Sequence, residues 1–398
     1  MSETVDRASR RDIVEIFVWS RVAVWVGALF ALFSFLPNGD PSSIRRYDPN
    51  IIHDLGNLTD VWARWDSYWY ILIAHHGYGA AHGAAAFYPL YPGLVAVVGR
   101  LCFGHYVLGG LIVSLAATCG VFLLLARLAE RLVGPVAARR SVLLLAVFPM
   151  SLFLQAVYSE SVFLLVALAA FLAAERRAFW LAGLFCGLAL LARPTGVAVL
   201  VGIALIALRD PSRLRAVGRV AIAVPMFAVF PIVLWIQTGH PFGFIHAEGL
   251  WERHVSKLGP VGGLIQALHA AWAGVLQLTV GSAKHWYWMP VGPDRAAAIN
   301  LESLAFFVFY AALGIVAWRR LGAPYGLMAL VSIAIPAATP LRAYPLVSMP
   351  RYGLAAFPVF IALSTLAERP RVERALVVAG AVLLGVATVQ WALWQWVA

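Results

Sequence analysis

The amino-acid sequence predicts an all-α polytopic membrane protein, from its composition and from the length of its apolar segments. Of the 398 residues, 62% are hydrophobic and only 12% are charged, whereas a soluble domain carries about 25% charged residues. Apolar segments of about 20 residues, the length that crosses a bilayer as a helix, recur along the chain. No separate soluble domain interrupts them, so residues 1–398 are expected to form a single membrane domain.

The arginines predict the orientation of this domain. Six clusters of arginine lie between the apolar segments, a distribution typical of the positive-inside rule. The net charge of +11 therefore indicates topology, and we expect no nucleic-acid partner. The clusters are Arg7, Arg10 and Arg11; Arg127, Arg131, Arg139 and Arg140; Arg176 and Arg177; Arg209, Arg213, Arg215 and Arg219; Arg319 and Arg320; and Arg369, Arg371 and Arg374.

All six clusters fall on the cytoplasmic side if the chain crosses the membrane about eleven times, starting with its N-terminus inside. The apolar run 87–103 then stays on one side as a re-entrant or surface helix, which Pro89 and Pro92 near its start favour. Two long extracytoplasmic loops remain, at about 37–104 and 237–300, and surface helices are expected in the first. The expected spans are 13–36, 105–126, 141–157, 161–174, 178–192, 195–208, 217–236, 301–318, 324–340, 353–367 and 374–396.

The first loop contains an unusually polar and aromatic stretch, "ARWDSYWYILIAHHGYG" at 63–79. We predict a helix over 59–76 that begins at Thr59 and is ended by the glycines after it. Asp66 then has no cation on its own helix face, because Arg64 points roughly the opposite way. A carboxylate in such partly dehydrated surroundings is a candidate base. The alternative is an interfacial helix with an aromatic belt, in which Asp66 faces water. The residues that share its face at 100° per residue are Trp62, Trp69, Tyr70 and Ile73.

Two adjacent histidines, His75 and His76, raise the question of a metal. Neighbouring side chains on a helix point about 100° apart, so these two are poorly placed to ligate one ion, and no H-x-x-x-H or E-x-x-H pair accompanies them. We therefore expect no metal and no other cofactor. A role near a phosphate or a sugar hydroxyl suits these histidines better.

Four motifs, in order and spread over about three quarters of the chain, resemble those of the PIG-V-type mannosyltransferases. They are "RWDSYWYILIAHHGY" followed by "AFYPLYP" (64–92), "FPMSLFLQAVYSES" (148–161), "LLARPTG" (190–196) and "SMPRYGLAAFP" (348–358). That family belongs to the GT-C glycosyltransferases, polytopic enzymes that take a sugar from a polyprenyl-phosphate carrier. The resemblance implies a GT-C-like helical bundle and a lipid-linked sugar donor.

The resemblance also implies a reaction. An acidic residue of the first loop acts as the base in such enzymes, and that role maps onto Asp66. A single displacement by an acceptor hydroxyl needs one base and inverts the anomeric centre. Mannose is the family's usual sugar and is the expected one here. The chain resembles a bacterial relative, so we expect it in the plasma membrane with its site on the extracytoplasmic face. The acceptor, whether a glycolipid, a glycan or a protein, does not carry over from the eukaryotic members, which extend a glycolipid anchor precursor.

The phosphate of the carrier requires a cation at the interface. Arg351 lies on an outer turn before a span, and a guanidinium matches phosphate oxygens. Arg193 lies at another outer span end, where a snorkelling anchor is the alternative. Glu160 at the mouth of a span either binds sugar hydroxyls or caps its helix. The motifs imply further substrate-binding residues, namely Arg64, Trp65, Tyr70, His75, His76, Tyr78 and Tyr352.

A transporter or lipid flippase is the competing interpretation, because it explains many spans equally well. Transporters, however, place ionisable residues near the bilayer midplane in broken helices. Here nearly all acidic residues lie outside the expected spans or at their ends, with Arg21 and Glu302 as the nearest ionisable exceptions. An inactive scaffold subunit is a third interpretation.

Overall fold

The computed structural model describes residues 10–36, 49–280 and 293–397, and within these ranges the chain is helical without a β-strand. Arg7 and the segments 37–48 and 281–292 of the two expected loops lie outside the described residues. The helices are α1 (Arg10–Ser34), α2 (Asn57–Asp60), α3 (Ser67–His76), α4 (Leu90–Leu101), α5 (Tyr106–Val133), α6 (Pro135–Ala146), α7 (Glu160–Glu175), α8 (Phe179–Ala192), α9 (Gly196–Leu208), α10 (Arg213–Val220), α11 (Ala223–Phe227), α12 (Val229–Thr238), α13 (Gly243–Ala247), α14 (Gly259–Val280), α15 (Pro293–Leu321), α16 (Ala323–Ala338), α17 (Met349–Tyr352), α18 (Pro358–Leu366) and α19 (Pro370–Ala392). Short 3-10 helices cover Asn50–Ile52, Tyr78–Ala80, His82–Ala86, Pro149–Leu154, Glu248–Trp251 and Gly353–Ala355.

The prediction of a polytopic helical membrane protein is confirmed, but the number of about eleven spans is not. Among the described residues, six helical stretches are long and apolar enough to cross a bilayer: α1, α5, the run α10–α12, α14, α15 and α19. A seventh would combine Met349–Ala355 with Pro358–Leu366, which meet at an angle of 92°. Helices α8, α9 and α16 have 14, 13 and 16 residues. At 1.5 Å per residue they are about 20–24 Å long, shorter than a hydrocarbon core of about 30 Å.

Two segments differ from their predicted form. The expected span 141–157 is not one helix, because α6 ends at Ala146 and a 3-10 helix begins at Pro149. The Arg21 side chain donates hydrogen bonds to the Ala146 carbonyl at 3.0 Å and the Ser151 carbonyl at 2.7 Å, so it satisfies backbone groups freed by that break. The expected loop 237–300 contains α14, whose 22 apolar residues qualify as a span by length and composition. The 12-residue helix α4 accounts for the run 87–103 and is too short to be counted as a span.

The predicted helix over 59–76 is wrong, because the chain breaks between α2 and α3. Residues 61–66 form a turn in which Trp65 adopts a φ of +53°, in the left-handed region. Asp66 consequently occupies the N-cap position of α3 and no longer lies mid-helix. Trp62, on the other side of the break, is fully buried instead of sharing an exposed face with it.

The packing of the bundle brings helix ends together around this turn. α5 packs against α4, α6 and α7, and α7 packs against α8, while α17 packs against α15 and α16. Ion pairs join four helix ends at one place. They are the N-terminus of α3, the N-terminus of α7, the C-terminus of α8 and the short helix α17. Four chain segments that are distant in sequence meet at one place, and each brings a charged side chain.

The fold makes a topological prediction. The 3-10 helix His82–Ala86 contacts α13 and the 3-10 helix Glu248–Trp251, so residues 82 and 257 are expected on the same face. The run from Arg213 to Thr238 has 26 residues and is about 39 Å long, enough to cross the bilayer. In a cysteine-free background, single cysteines at His82 and Lys257 should react with an impermeant thiol reagent in intact cells, and a cysteine at Arg213 should not. Labelling at position 213 would contradict the expected orientation.

Candidate active site

Asp66 is positioned by the turn before α3. Its backbone N–H donates a hydrogen bond to the Tyr158 hydroxyl at 3.0 Å, and that hydroxyl donates to the Arg64 carbonyl at 3.1 Å. The Asp66 carboxylate makes no capping hydrogen bond to α3. It is directed away from that helix end, and 30% of its side chain is exposed. Tyr158 thus fixes the backbone of the turn while leaving the carboxylate available.

Arg351 is the cation that meets this carboxylate. Its Nη1 lies 2.7 Å from Asp66 Oδ2, with hydrogen-bond geometry. The sequence left Asp66 without a cation on its own helix, and the structure supplies one from a segment 285 residues further along the chain. Arg351 lies in α17, and that helix begins directly after Ser348, which has a left-handed φ of +65°. Only 8% of the Arg351 side chain is exposed.

Glu160 lies behind Arg351 and is more deeply buried, with 2% of its side chain exposed. Its Oε1 is 3.6 Å from Arg351 Nε and 2.5 Å from Arg193 Nη1. The contact with Arg193 is a direct charge-assisted contact, whereas the one with Arg351 is longer. The expected role in binding sugar hydroxyls does not follow from this burial. Glu160 acts here as the shared anion of two arginines.

These contacts form one continuous ion chain of Asp66, Arg351, Glu160 and Arg193. Its two positive and two negative charges balance, which is what permits so many buried charges in one place. Aromatic rings surround the central cation: the Arg351 guanidinium lies 5.1 Å from the Tyr158 ring centroid and 5.2 Å from that of Tyr352. Such distances fall within the range of cation–π attraction.

Two tyrosine hydroxyls complete the polar part of the site. The hydroxyls of Tyr70 and Ser159 lie 2.9 Å apart, and Arg193 Nη1 donates to Ser159 Oγ at 3.3 Å. Burial raises the pKa of Tyr70 and that of Tyr158 well above the usual range of a phenol. Both hydroxyls therefore stay protonated and neutral over the ordinary pH range.

Two groups of residues near the site were not predicted from the sequence. The first lines a narrow cleft beside Asp66 with a volume of about 10 Å³. It is lined by Trp65, Asp66, Phe153, Tyr158, Arg351, Trp391, Trp396 and Val397. Tryptophans are unusually frequent in the C-terminal "WALWQWV", but the sequence does not show that they pack against the first loop.

Arg253 is the second omission. It donates to the Thr339 carbonyl at 3.0 Å and to the Tyr352 hydroxyl at 3.4 Å, and its guanidinium lies 5.5 Å from the Tyr352 ring centroid. Arg253 thereby ties the segment after α13 to the segment that carries Arg351. Tyr352 itself, which was predicted to bind substrate, lies between the guanidinium groups of Arg193, Arg253 and Arg351.

Other predicted site residues lie elsewhere. His75 and His76 are exposed at the far end of the ten-residue helix α3, about 15 Å of helix from Asp66. The Tyr78 hydroxyl donates to the Phe87 carbonyl within a separate apolar cluster. Arg64 stacks over Trp394 at 4.3 Å, while Trp65 packs on Trp396 with ring centroids 5.3 Å apart at the edge of the cleft. Of these five, only Trp65 borders the cleft beside Asp66.

The arrangement offers a proton acceptor and a cation at adjacent points of one cleft. Asp66 is its more exposed anion, and Arg351 presents a forked donor to the same space. Within the described parts of the chain, no group of three or more His, Cys, Asp or Glu side chains could hold a metal ion. The chemistry that these residues can perform themselves is proton abstraction next to a bound anion.

Comparison with known proteins gives a family and a fold. The profile of the family "Mannosyltransferase (PIG-V)" matches residues 17–234. The chain is similar to ArnT from Cupriavidus metallidurans, solved bound to undecaprenyl phosphate, with a TM-score of 0.51 and 17% identity over 94% of this chain and 63% of ArnT. The apo oligosaccharyltransferase of Archaeoglobus fulgidus gives a TM-score of 0.44 and 15% identity, over 95% of this chain and 56% of that enzyme. The chain thus spans less than two thirds of the length of either, and the likeness to ArnT is one of fold. No curated protein sequence matches the chain.

The ion chain makes a prediction about stability. Glu160→Gln removes the anion between two buried arginines, and breaking a buried pair in this way costs about 3–5 kcal/mol. We expect the variant to unfold at a clearly lower temperature in detergent, as measured by loss of tryptophan fluorescence or by aggregation. Glu15→Gln is the matched control, because Glu15 and its partner Arg11 are 53% and 87% exposed and lie 3.0 Å apart. Exposed pairs contribute about 0–1 kcal/mol, so equal melting temperatures for the two variants would contradict the assignment of Glu160.

Proposed function

The chain belongs to the PIG-V mannosyltransferase family, and from this premise we propose that it transfers a sugar from a polyprenyl phosphate to an acceptor hydroxyl. We propose mannose as the sugar, because it is the usual one in this family. The observation that carries the proposal is the contact between Asp66 and Arg351 beside the aromatic cleft. It joins the two groups that this reaction needs, a base for the acceptor and a cation for the carrier. We place the protein in the plasma membrane, with its site on the extracytoplasmic face.

In the proposed reaction the carrier phosphate binds at Arg351 and the acceptor hydroxyl lies against Asp66. An Asp66 oxygen takes the hydroxyl proton as the acceptor oxygen attacks the anomeric carbon. The bond between that carbon and the phosphate oxygen breaks on the opposite side, which inverts the configuration. The phosphate leaves with one more negative charge than it had as a diester, and Arg351 is positioned to stabilise that charge as it develops.

The carrier class has support from two directions. The similar fold of ArnT was solved with undecaprenyl phosphate, and a lipid carrier keeps its phosphate at the membrane interface, where the helix ends of this site would meet it. The acceptor remains a glycolipid, a glycan or a protein.

A transporter or flippase is favoured less by the positions of the intramembrane charges. Arg21 is buried in α1, and its donors are used by backbone carbonyls and by Ser151. Glu302 in α15 lies 3.8 Å from Arg295, which is two turns earlier on the same helix. Both charges have local structural partners, whereas a transport pathway requires groups that are free to bind and release cargo.

Asp66→Asn tests the base. The change is nearly isosteric and removes the proton acceptor, and positioned general bases contribute about 10²–10⁴-fold. With labelled polyprenyl-phosphate mannose saturating, the single-turnover rate of sugar transfer to membrane lipids and glycans should fall by about that factor.

The control for Asp66→Asn is Glu252→Gln, which changes an exposed carboxylate in the connection between α13 and α14. Asp60 would be a poor control, because it accepts hydrogen bonds from the Asp54 backbone and the Thr59 hydroxyl. A rate within about threefold of wild type for Asp66→Asn would contradict the role of base.

Arg351→Ala tests the cation. The loss of a hydrogen bond to a charged group is worth about 1.5–3 kcal/mol, or roughly 10- to 150-fold in apparent donor affinity. Arg351→Lys should recover part of this loss, because a point charge lacks the bidentate fork. Arg342→Ala, an exposed arginine in the same connection, serves as the control in the same donor titration. Unchanged donor kinetics in Arg351→Ala would remove Arg351 from the site.

A further inference from the structure

The ion pair between Asp66 and Arg351 conflicts with the role of each residue taken alone. The Asp66 oxygen that accepts from the Arg351 guanidinium at 2.7 Å has one fewer lone pair free for an acceptor hydroxyl. A guanidinium engaged with a carboxylate has fewer donors left for a phosphate. In this arrangement each residue occupies a group that the other would use on a substrate.

Glu160 gives Arg351 a second anion on the side away from Asp66. Its Oε1 is 3.6 Å from Arg351 Nε, and the Glu160 side chain is almost fully buried. The positive charge of Arg351 would thus remain compensated after its Nη1 leaves Asp66. Arg193 holds Glu160 from the other side at 2.5 Å, so this anion is fixed in place.

We propose that Arg351 keeps Asp66 ion-paired until the carrier phosphate binds, and that Glu160 retains Arg351 while its Nη1 turns from Asp66 to the phosphate. The inference rests on the proposed function and adds a coupling between donor binding and activation of the base. An acceptor, or water, that enters without a donor meets a carboxylate that is still paired. Binding of the anionic phosphate releases the carboxylate at the moment when a sugar is available to be attacked.

The coupling has a signature in the pH dependence of the rate. The profile of kcat/KM for the donor reports the donor-free enzyme, and the profile of kcat/KM for the acceptor at saturating donor reports the donor complex. Only the first profile reports an enzyme in which Arg351 is paired with Asp66. The acid limbs of the two profiles should therefore not coincide.

The other titratable groups near Asp66 do not produce this difference. Among the described residues, Tyr158 and Tyr70 stay protonated because they are buried. Glu160 and Tyr352 lie against Arg351 and keep that contact in the proposed exchange. A merely structural role of Arg351 would lower rates without separating the two acid limbs. Separate acid limbs therefore distinguish the proposed coupling from a purely structural role of Arg351.

Arg351→Gln should bring the two acid limbs together, because its donor-free enzyme already lacks the cation. Arg140→Gln is the matched control: Arg140 is a buried arginine with a 3.0 Å contact to Glu373, distant in sequence from the site. This variant should keep the wild-type separation. Coincident limbs in the wild-type enzyme, or a separation that persists in Arg351→Gln, would overturn the coupling while leaving the glycosyltransferase assignment intact.

A second measurement does not depend on turnover. Addition of undecaprenyl phosphate to the purified wild-type protein should give an infrared difference band in the carboxylate-stretching region, as Asp66 loses its partner. The band should be absent in Asp66→Asn and in Arg351→Gln. Binding of the lipid to wild type without such a band would overturn the coupling. Failure of the lipid to bind at all would overturn the coupling and the proposed function together.

Discussion

The buried guanidinium of Arg351 is the constraint on which the rest of the site depends. A positive charge in this position is tolerated only with anions at contact distance, and the protein supplies Asp66 on one side and Glu160 on the other. Satisfying it requires the turn before α3, the start of α7 and the helix α17 to meet. Arg193 then balances Glu160 and brings in the end of α8. The electrostatics of one side chain thus explains why four distant motifs occupy the same place.

The aromatic residues give this ion chain its surroundings. Rings of Phe153, Tyr158 and Tyr352 lie 5.1–5.5 Å from the Arg351 guanidinium carbon, and the C-terminal tryptophans Trp391 and Trp396 line the cleft beside Asp66. The rings around Arg351 bury its guanidinium, and charges interact more strongly where burial removes water.

The sequence was sufficient for the fold class, because composition and arginine distribution are local properties, and its motifs marked Asp66 and Arg351 as candidates. It was insufficient for their contact, since Asp66 and Arg351 are 285 residues apart. The helix predicted over 59–76 was wrong because a helical wheel assumes an unbroken helix. The break has a positive φ at Trp65, and a tryptophan at that position does not indicate a turn in the way that a glycine would. The number of spans could not be predicted from apolar runs alone, because several apolar helices are too short and α14 lies in an expected loop.

If the carrier phosphate takes the place of Asp66 on Arg351, a structure of the protein with bound undecaprenyl phosphate in a lipid nanodisc will show the exchange. We expect a phosphate oxygen within hydrogen-bond distance of the Arg351 guanidinium. Arg351 should still contact Glu160, and Asp66 should lie farther from Arg351 than its present 2.7 Å. A phosphate bound elsewhere, with the Asp66–Arg351 pair unchanged, would contradict this exchange.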